Sequence, residues 1–215
     1  MKIPLHNRLK RQLHRDIAAL QDIVVENVYS LEENAVLHGG TAIWRCFDGN
    51  RFSEDLDFYI KPRKSFREKL GTQLERLGMK VSKYRQTSNA IYSRVEHQNT
   101  VVSLEIALRN YSGAVASTYE KVDGTLIDVF TPSANELLKE KLIAYANRKL
   151  IRDIYDVYHL SRSIEADKGY EKEISRILQN LPKPADEQNL KNIVLVGAVP
   201  SFEQMVQALQ RRFRQ

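Results

Sequence analysis

The chain has 215 residues, of which 42% are hydrophobic and 28% are charged. This length and composition suit one large domain, or a catalytic domain with a smaller appendage, and argue against a disordered chain or one embedded in a membrane. The net charge is +6, and the segment Lys61–Arg85 alone carries nine Lys or Arg residues against two Glu, a local excess of +7, which is typical either of a surface that binds a polyanion such as nucleic acid or of a solvated basic helix face.

The sequence lacks the features of several classes of protein. Charges interrupt the N-terminal residues where a signal peptide needs an apolar run, so a cytoplasmic location is expected. Cys46 is the only cysteine, which rules out an intramolecular disulfide and a multi-cysteine metal site, and it is interpreted as structural. No P-loop motif and no zinc-ligand spacing is present, and His38 and His159 are interpreted as packed or hydrogen-bonded residues.

The first half of the chain alternates predicted strands and helices. Helical spacing of apolar residues from Leu5 to Val28 predicts an amphipathic first helix. A short strand, Ala35–His38, then leads through a glycine turn into a helix over Ala42–Phe47. A strand at Leu56–Ile60 precedes a basic helix from about Lys64 to Leu77. Further strands are predicted at Ile91–Val95, Val101–Leu108 and Thr125–Phe130.

From Pro132 onward the apolar pattern changes from a period of two to a period of 3.6, which predicts a run of helices. A mixed sheet followed by helices is an α+β arrangement. We expect a catalytic domain over residues 1–131 and a helical domain over residues 132–215 that completes the active site. The helices are predicted near Ser133–Asn147, Arg152–Ser163, Tyr170–Asn180, Glu187–Val196 and Ser201–Phe213.

Two glycines and two aspartates form the most informative pattern. Gly39 and Gly40 leave a strand and open a helix, so their backbone amides can approach a phosphate at the helix N-terminus. Asp55 and Asp57 lie two apart on a strand, so both carboxylates leave the same face, and such a pair suits two metal ions in phosphoryl chemistry. Two alternating aspartates alone are as typical of a solvent-facing strand, and it is their combination with the glycine turn that favours a catalytic site.

The segment Gly39-Gly40-Thr41-Ala42, followed by Arg51-Phe52-Ser53-Glu54-Asp55-Leu56-Asp57-Phe58, resembles the signature of the polymerase-β-like nucleotidyltransferase superfamily, and specifically of the AbiEii/AbiGii toxin family. Glu140-Lys141-Leu142 and Arg152–Val157 resemble the lysine and aspartate of that family's helical half. The resemblance implies a polymerase-β-like mixed sheet with flanking helices, followed by a C-terminal helical bundle. It also implies that relatives act as toxins paired with a cognate antitoxin, and that some modify the acceptor end of tRNA.

The residues of the helical half support a phosphate-binding role independently. On a helical wheel Lys141 lies in the middle of an apolar arc with Arg148 about 20° away, so Lys141 either faces a cleft and binds phosphate or extends past the helix to solvent. Asp153 lies where the helix dipole already favours an acid, so helix capping explains it as well as catalysis does. Asp156 better matches the last acidic position of the family.

A third metal-binding carboxylate is implied by the wider superfamily. Glu105 lies on the polar side of an alternating strand, which makes it the candidate, and an exposed glutamate with no role is the alternative.

Together these observations predict a nucleotidyltransferase that moves a nucleoside monophosphate from an NTP to an acceptor hydroxyl and releases pyrophosphate. The expected acceptor is RNA, in particular tRNA, bound in part by Lys61–Arg85. The second candidate for the RNA-binding surface is Arg211, Arg212 and Arg214. Two alternatives stay open: a protein or small-molecule acceptor such as an antibiotic, and a non-catalytic nucleotide- or RNA-binding regulator. The expected roles are two Mg²⁺ ions on Asp55, Asp57 and Glu105; phosphate binding by Gly39, Gly40, Thr41, Ser53, Lys141 and Arg148; and orientation of Lys141 or Arg148 by Asp156.

Overall fold

The computed structural model describes residues 4–164, 168–179 and 181–213. The chain forms two compact units. The first contains the described residues up to Cys46 together with Phe52–Pro132, and the second contains Phe47–Arg51 together with the described residues from Ser133 onward. The whole of residues 1–131 is expected in one domain from the sequence, so the short segment Phe47–Arg51 lies in a different unit from the one predicted. None of the described helices is long and apolar enough to cross a membrane.

The first unit is built on a mixed seven-stranded sheet. Its spatial order is β3-β4-β5-β2-β1-β7-β6, with β1 antiparallel to β2 and parallel to β7, and β2 parallel to β5. The strand that leads into the glycine turn (β1) and the strand that contains Asp57 (β2) are therefore neighbours near the centre of the sheet. In chain order the strands are β1 (Val36–His38), β2 (Leu56–Tyr59), β3 (Lys80–Gln86), β4 (Ala90–His97), β5 (Thr100–Ala107), β6 (Val115–Glu120) and β7 (Leu126–Thr131).

Two of these strands, β3 and β6, were not predicted. They form the two ends of the sheet, and most of their side chains are exposed or half-buried. An edge strand covers little of the core, so its sequence lacks the strict alternation that reveals a half-buried strand.

The helices of the first unit are α1 (Leu5–Arg8), α2 (Gln12–Leu31), α3 (Gly39–Cys46) and α4 (Phe66–Arg76). The single first helix predicted from Leu5 is therefore wrong, because the chain is extended at Leu9 between α1 and α2. Leu9 is fully buried while Leu13 is 57% exposed, so the two do not share one helix face. Helix α3 begins at Gly39 itself, three residues before the predicted start.

One face of the sheet forms the core of this unit. Along β4 and β5 the buried residues alternate with exposed ones, and α2 packs against β5 while α4 packs against α2 and β3. The buried apolar side chains of these two strands are Ile91, Val95, Val102, Leu104 and Ile106. Their neighbours, including Tyr92, Arg94 and Glu105, project from the opposite face and are exposed.

The second unit is helical. Its elements are α5 (Ala134–Arg148), α6 (Ile151–Leu160), α7 (Lys168–Leu178), a 3₁₀ turn (Glu187–Asn189), α8 (Leu190–Ile193) and α9 (Phe202–Arg212). Helix α5 packs against α6, and α9 packs against α6 and α7. Asn180, the predicted end of the helix that overlaps α7, lies outside the described residues.

The helix predicted over Glu187–Val196 is wrong in its second half. Only one helical turn, α8, follows the 3₁₀ turn, and the chain is then extended. Val194 pairs with Arg51 in an antiparallel bridge, and the Leu195 amide donates to the Asn50 carbonyl at 3.0 Å. Backbone pairing with the segment Phe47–Arg51 therefore replaces the helical hydrogen bonds.

Candidate active site

The glycine turn and the second aspartate are in direct contact. Gly39 has a positive φ of 72°, a conformation that side chains with a Cβ rarely adopt. A Cβ at this position would lie 2.2 Å from Oδ2 of Asp57. Only glycine therefore lets the Asp57 carboxylate lie against the beginning of α3.

The segment that carries Ser53 and Asp55 is fixed through its backbone. The Thr41 hydroxyl donates to the carbonyl of Asp55 at 2.5 Å, and the Gln21 amide donates to the carbonyls of Ser53 and Glu54 at 2.9 and 3.0 Å. Thr41 and Gln21 are fully buried. The Thr41 hydroxyl proton is committed to this bond, so the backbone N–H is the donor that the residue could offer to a phosphate. Gln21 was missed by sequence reasoning, since one glutamine in an amphipathic helix gives no distinctive signal.

Asp57 and Glu105 are neighbours on adjacent strands. They are register partners in the parallel pair of β2 and β5, so both side chains project from the same face of the sheet, with Cα atoms about 4.8 Å apart. Asp55 lies one residue before β2. Within the described ranges, no three His, Cys, Asp or Glu side chains come together in a group that could hold a metal ion. The joint metal-binding role of Asp55, Asp57 and Glu105 therefore stays a prediction.

The second unit contains a cluster of ion pairs that is buried except for Arg148, whose side chain is 43% exposed. The cluster brings together Lys141, Arg148 and both candidate aspartates with Arg51. The Lys141 ammonium lies 3.2 Å from an Asp156 oxygen and 3.7 Å from an Asp153 oxygen, and Lys141 is only 7% exposed. Arg51 forms a bidentate pair with Asp156 at 2.6 and 2.5 Å. Arg148 forms a bidentate pair with Asp153 at 2.7 and 2.6 Å. Asp156 thus contacts Lys141, whereas Arg148 is held by Asp153.

The charges in this cluster decide the protonation of Asp156. Burial alone would raise the pKa of Asp156, but the positive charges of Arg51 and Lys141 and their hydrogen bonds hold it below its usual value. Burial likewise opposes the charge on Arg51, and Asp156 outweighs it, so the pKa of Arg51 is raised. Three cations thus surround two carboxylates. Arg51 was not predicted, although it opens the motif Arg51-Phe52-Ser53.

The other candidate residues described by the structure are packed, buried or paired with neighbouring groups. His38 stacks on Tyr59 with ring centroids 3.7 Å apart, and a ring nitrogen of His159 lies 2.8 Å from the Phe47 carbonyl oxygen. Burial raises the pKa of the Cys46 thiol to about 12, which disfavours the thiolate. Arg212 pairs with Glu171 at 3.4 Å. Arg214, the last basic residue considered for RNA binding, lies outside the described residues.

A mixed seven-stranded sheet with a glycine turn, an aspartate strand beside it and a lysine-bearing helical unit defines the class of nucleotidyltransferases. Within that class, the chain belongs to the nucleotidyl transferase AbiEii toxin family of type IV toxin–antitoxin systems, whose sequence profile matches residues 23–195. It is therefore a nucleotidyltransferase that uses an NTP. The predicted family and the predicted α+β nucleotidyltransferase fold are both confirmed.

Solved structures share the fold. JHP933 from Helicobacter pylori is similar with a TM-score of 0.68 and 17% identity, covering 95% of this chain and 91% of that one. MenT4, a nucleotidyltransferase toxin from Mycobacterium tuberculosis, is similar with a TM-score of 0.60 and 21% identity, covering 96% of this chain and 86% of that one. No curated protein sequence matches the chain. At these identities, the likeness to the solved structures establishes the fold and nothing further.

Proposed function

We propose that the protein transfers a nucleoside monophosphate from an NTP to a hydroxyl of RNA, in particular of tRNA, in a Mg²⁺-dependent reaction. The observation that carries this proposal is the position of Asp57. Its carboxylate shares a sheet face with Glu105 and lies against Gly39, the first residue of α3. The Asp57 carboxylate thus lies beside the N-terminus of a helix, which favours bound phosphate, and a second carboxylate shares its sheet face.

The donor set fits Mg²⁺. The side chains of Asp55, Asp57 and Glu105 would supply carboxylate oxygens, which are the ligands that Mg²⁺ prefers. Two bound ions would neutralise charge on the NTP phosphates and favour the hydroxyl as a nucleophile. The contribution of the chain is rigidity: the Asp55 carbonyl is fixed by Thr41, and Gly39 leaves the space in which the Asp57 carboxylate lies.

The triphosphate would be bound by backbone N–H groups and by cations. Helix α3 begins at Gly39, so the amides of Gly40 and Thr41 have no partner within the helix. Lys141 and Arg148 would offset the triphosphate charge, and Ser53 would donate to a phosphate oxygen. Asp156 would orient Lys141 through the contact described above, and Asp153 would do the same for Arg148.

The proposal also covers the acceptor, the cellular location and a protein partner. The basic segment Lys61–Arg85 follows the aspartate strand directly and favours RNA over a neutral small molecule. The reaction would take place in the cytoplasm, where NTPs and tRNA are available, and a cognate antitoxin would counteract it. If transfer makes the protein toxic, its production should slow bacterial growth, and production of an Asp57→Asn variant should not. Equal inhibition by both would contradict a toxic effect through transfer.

The central test uses each α-labelled NTP with Mg²⁺ and either total RNA or cell lysate. RNA should become labelled, and Asp57→Asn should reduce labelling at least about a hundredfold, as expected for an electrostatic group at a reacting centre. Asp128→Asn is the matched control, because Asp128 is likewise a strand aspartate, exposed on β7. Wild-type labelling by Asp57→Asn would refute the assignment. A labelled protein or small molecule would replace the RNA acceptor, and nucleotide binding without transfer would favour a regulator.

A further inference from the structure

A cationic groove lies on the sheet face that carries Glu105. It has a volume of about 430 Å³ and is lined by residues of β3, β4 and β5, with Thr87 at one end. Lys83, Arg85, Tyr92, Arg94 and Glu105 are the lining residues that matter for binding. The buried apolar residues of β4 and β5 point to the opposite face, and Val101 on the groove side is 43% exposed, so this side of the two strands contributes little to the core.

The strand register places four residues of neighbouring strands in one row across the sheet. Asp57 on β2 pairs with Glu105 on β5, Glu105 with Tyr92 on β4, and Tyr92 with Arg85 on β3. Neighbouring strands are about 4.8 Å apart, so the Cα atom of Tyr92 lies roughly 10 Å, and that of Arg85 roughly 14 Å, from that of Asp57. The row therefore runs from the proposed reacting centre to a basic edge of the sheet.

A β-bulge gives Arg85 its place in this row. Ser82 pairs with Arg94 and Arg85 pairs with Tyr92, so three steps along β3 correspond to two along β4. Lys83 lies at the bulge with a positive φ of 51°. In regular alternation Arg85 would point to the opposite face from Ser82, and the extra residue returns it to the face of Tyr92.

The chemistry of the groove suits a single strand of nucleic acid. Tyr92 is 42% exposed and offers a ring on which a base can stack. Lys83, Arg85 and Arg94 are exposed, and no carboxylate in the described part of the chain forms an ion pair with them. By contrast, Arg67 of α4 already lies over the Tyr84 ring at 4.1 Å.

We propose that the groove binds a single-stranded end of the acceptor RNA, with its terminal hydroxyl at Asp57 and Glu105, one base stacked on Tyr92, and phosphates on Arg85, Arg94 and Lys83. This inference rests on the proposed function. It assigns the acceptor to the strand face, whereas charge distribution alone assigned it to the whole segment Lys61–Arg85.

The test measures binding of a short fluorescent single-stranded RNA by anisotropy at several salt concentrations, together with calorimetric binding of each Mg²⁺–NTP. Tyr92→Ala should weaken RNA binding at least about fivefold, while Tyr92→Phe keeps the ring and should bind as the wild type does. The pair Arg85→Glu and Arg94→Glu should also reduce the salt dependence, by a log–log slope of about 0.7 per lost phosphate contact. NTP binding should stay unchanged in all of them.

Two further variants make the result specific. Lys10→Glu with Arg11→Glu changes the net charge equally at exposed residues before α2 and should have little effect. Reversal of Arg63, Lys64 and Arg67 tests the helical surface instead. The inference is overturned if Tyr92→Ala binds RNA normally, if the Arg85 and Arg94 reversal is no worse than the control, or if only the helical reversal abolishes binding.

The same measurements separate this inference from the proposed function. A wild-type protein that binds Mg²⁺–NTP but no RNA would overturn the groove assignment and the RNA acceptor together, leaving nucleotidyl transfer to a protein or small molecule. A wild-type protein that binds no Mg²⁺–NTP would overturn the proposed reaction itself.

Discussion

At the scale of single residues, the absence of a side chain at position 39 matters as much as the presence of the aspartate. The Asp57 carboxylate occupies the space that a Cβ of residue 39 would fill. Gly39 therefore does two things that the sequence pattern does not separate: it adopts a positive φ, and it leaves room for a carboxylate. A comparison with a second glycine of similar φ can separate these effects.

Gly39→Ala should both destabilise the protein and cut activity. The left-handed conformation should cost about 1–2 kcal/mol, and displacement of Asp57 should reduce transfer at least about tenfold. Gly78→Ala is the control, because Gly78 has a φ of 76° but a Cβ there would meet no other group within 4 Å. Thermal unfolding and labelled transfer would be measured on both variants. Equal activity in the two would show that the contact with Asp57 has no consequence for catalysis.

At the scale of elements, helix α2 is hydrogen-bonded to the segment before β2 through the side chain of Gln21. Gln21 spans from this helix to two carbonyls of the segment before β2, and Thr41 of α3 binds the third. The loop that bears Ser53 and Asp55 is thus held by two helices, although it contains no regular structure of its own.

Gln21→Leu should therefore affect both stability and catalysis. Two carbonyls would lose a fully buried donor, which should cost about 1–3 kcal/mol, and transfer should fall because the segment before Asp55 would be held less firmly. Asn27→Leu on the same helix is the control, since Asn27 donates only to the Ile23 carbonyl one turn away. Urea unfolding and steady-state transfer would be compared. A Gln21→Leu variant with lower stability but unchanged turnover would limit Gln21 to a structural role.

The same scale explains what could be predicted from the sequence. The central strand, the glycine turn and the aspartate strand were found because buried alternation and glycine punctuation are local signals. Edge strands β3 and β6, the break at Leu9 and the bulge at Lys83 were missed, because each depends on partners distant in the chain. In the site, Lys141 and Asp156 were predicted, but Arg51, the bidentate partner of Asp156, lies 105 residues upstream of it, so no local signal reveals the pair.

At the scale of the whole molecule, the buried ion pairs of the second unit link stability to pH. Asp156 has a lowered pKa, so the folded protein holds its charged form more strongly than the unfolded chain does. Its contribution is fully present above the ordinary aspartate pKa of about 3.9, and it is lost as the pH falls through the lower folded value.

Asp156→Asn should reduce the free energy of unfolding by about 3–5 kcal/mol at neutral pH, because Arg51 and Lys141 would lose the buried carboxylate between them. The difference from the wild type should stay constant between about pH 7 and pH 5 and shrink below about pH 4. Urea unfolding across this range would measure it, with exposed Asp128→Asn as the control. A difference that shrinks already above pH 5 would contradict a lowered pKa.

The membership of Phe47–Arg51 in the second unit also bears on how the chain can be divided. A fragment that begins at Ser133 contains every described helix of that unit but lacks Arg51, and with it the bidentate partner of Asp156. It also lacks the backbone partners of Val194 and Leu195. During synthesis this short segment leaves the ribosome well before the helices with which it pairs, so the second unit should reach its native state only in a chain that retains both parts.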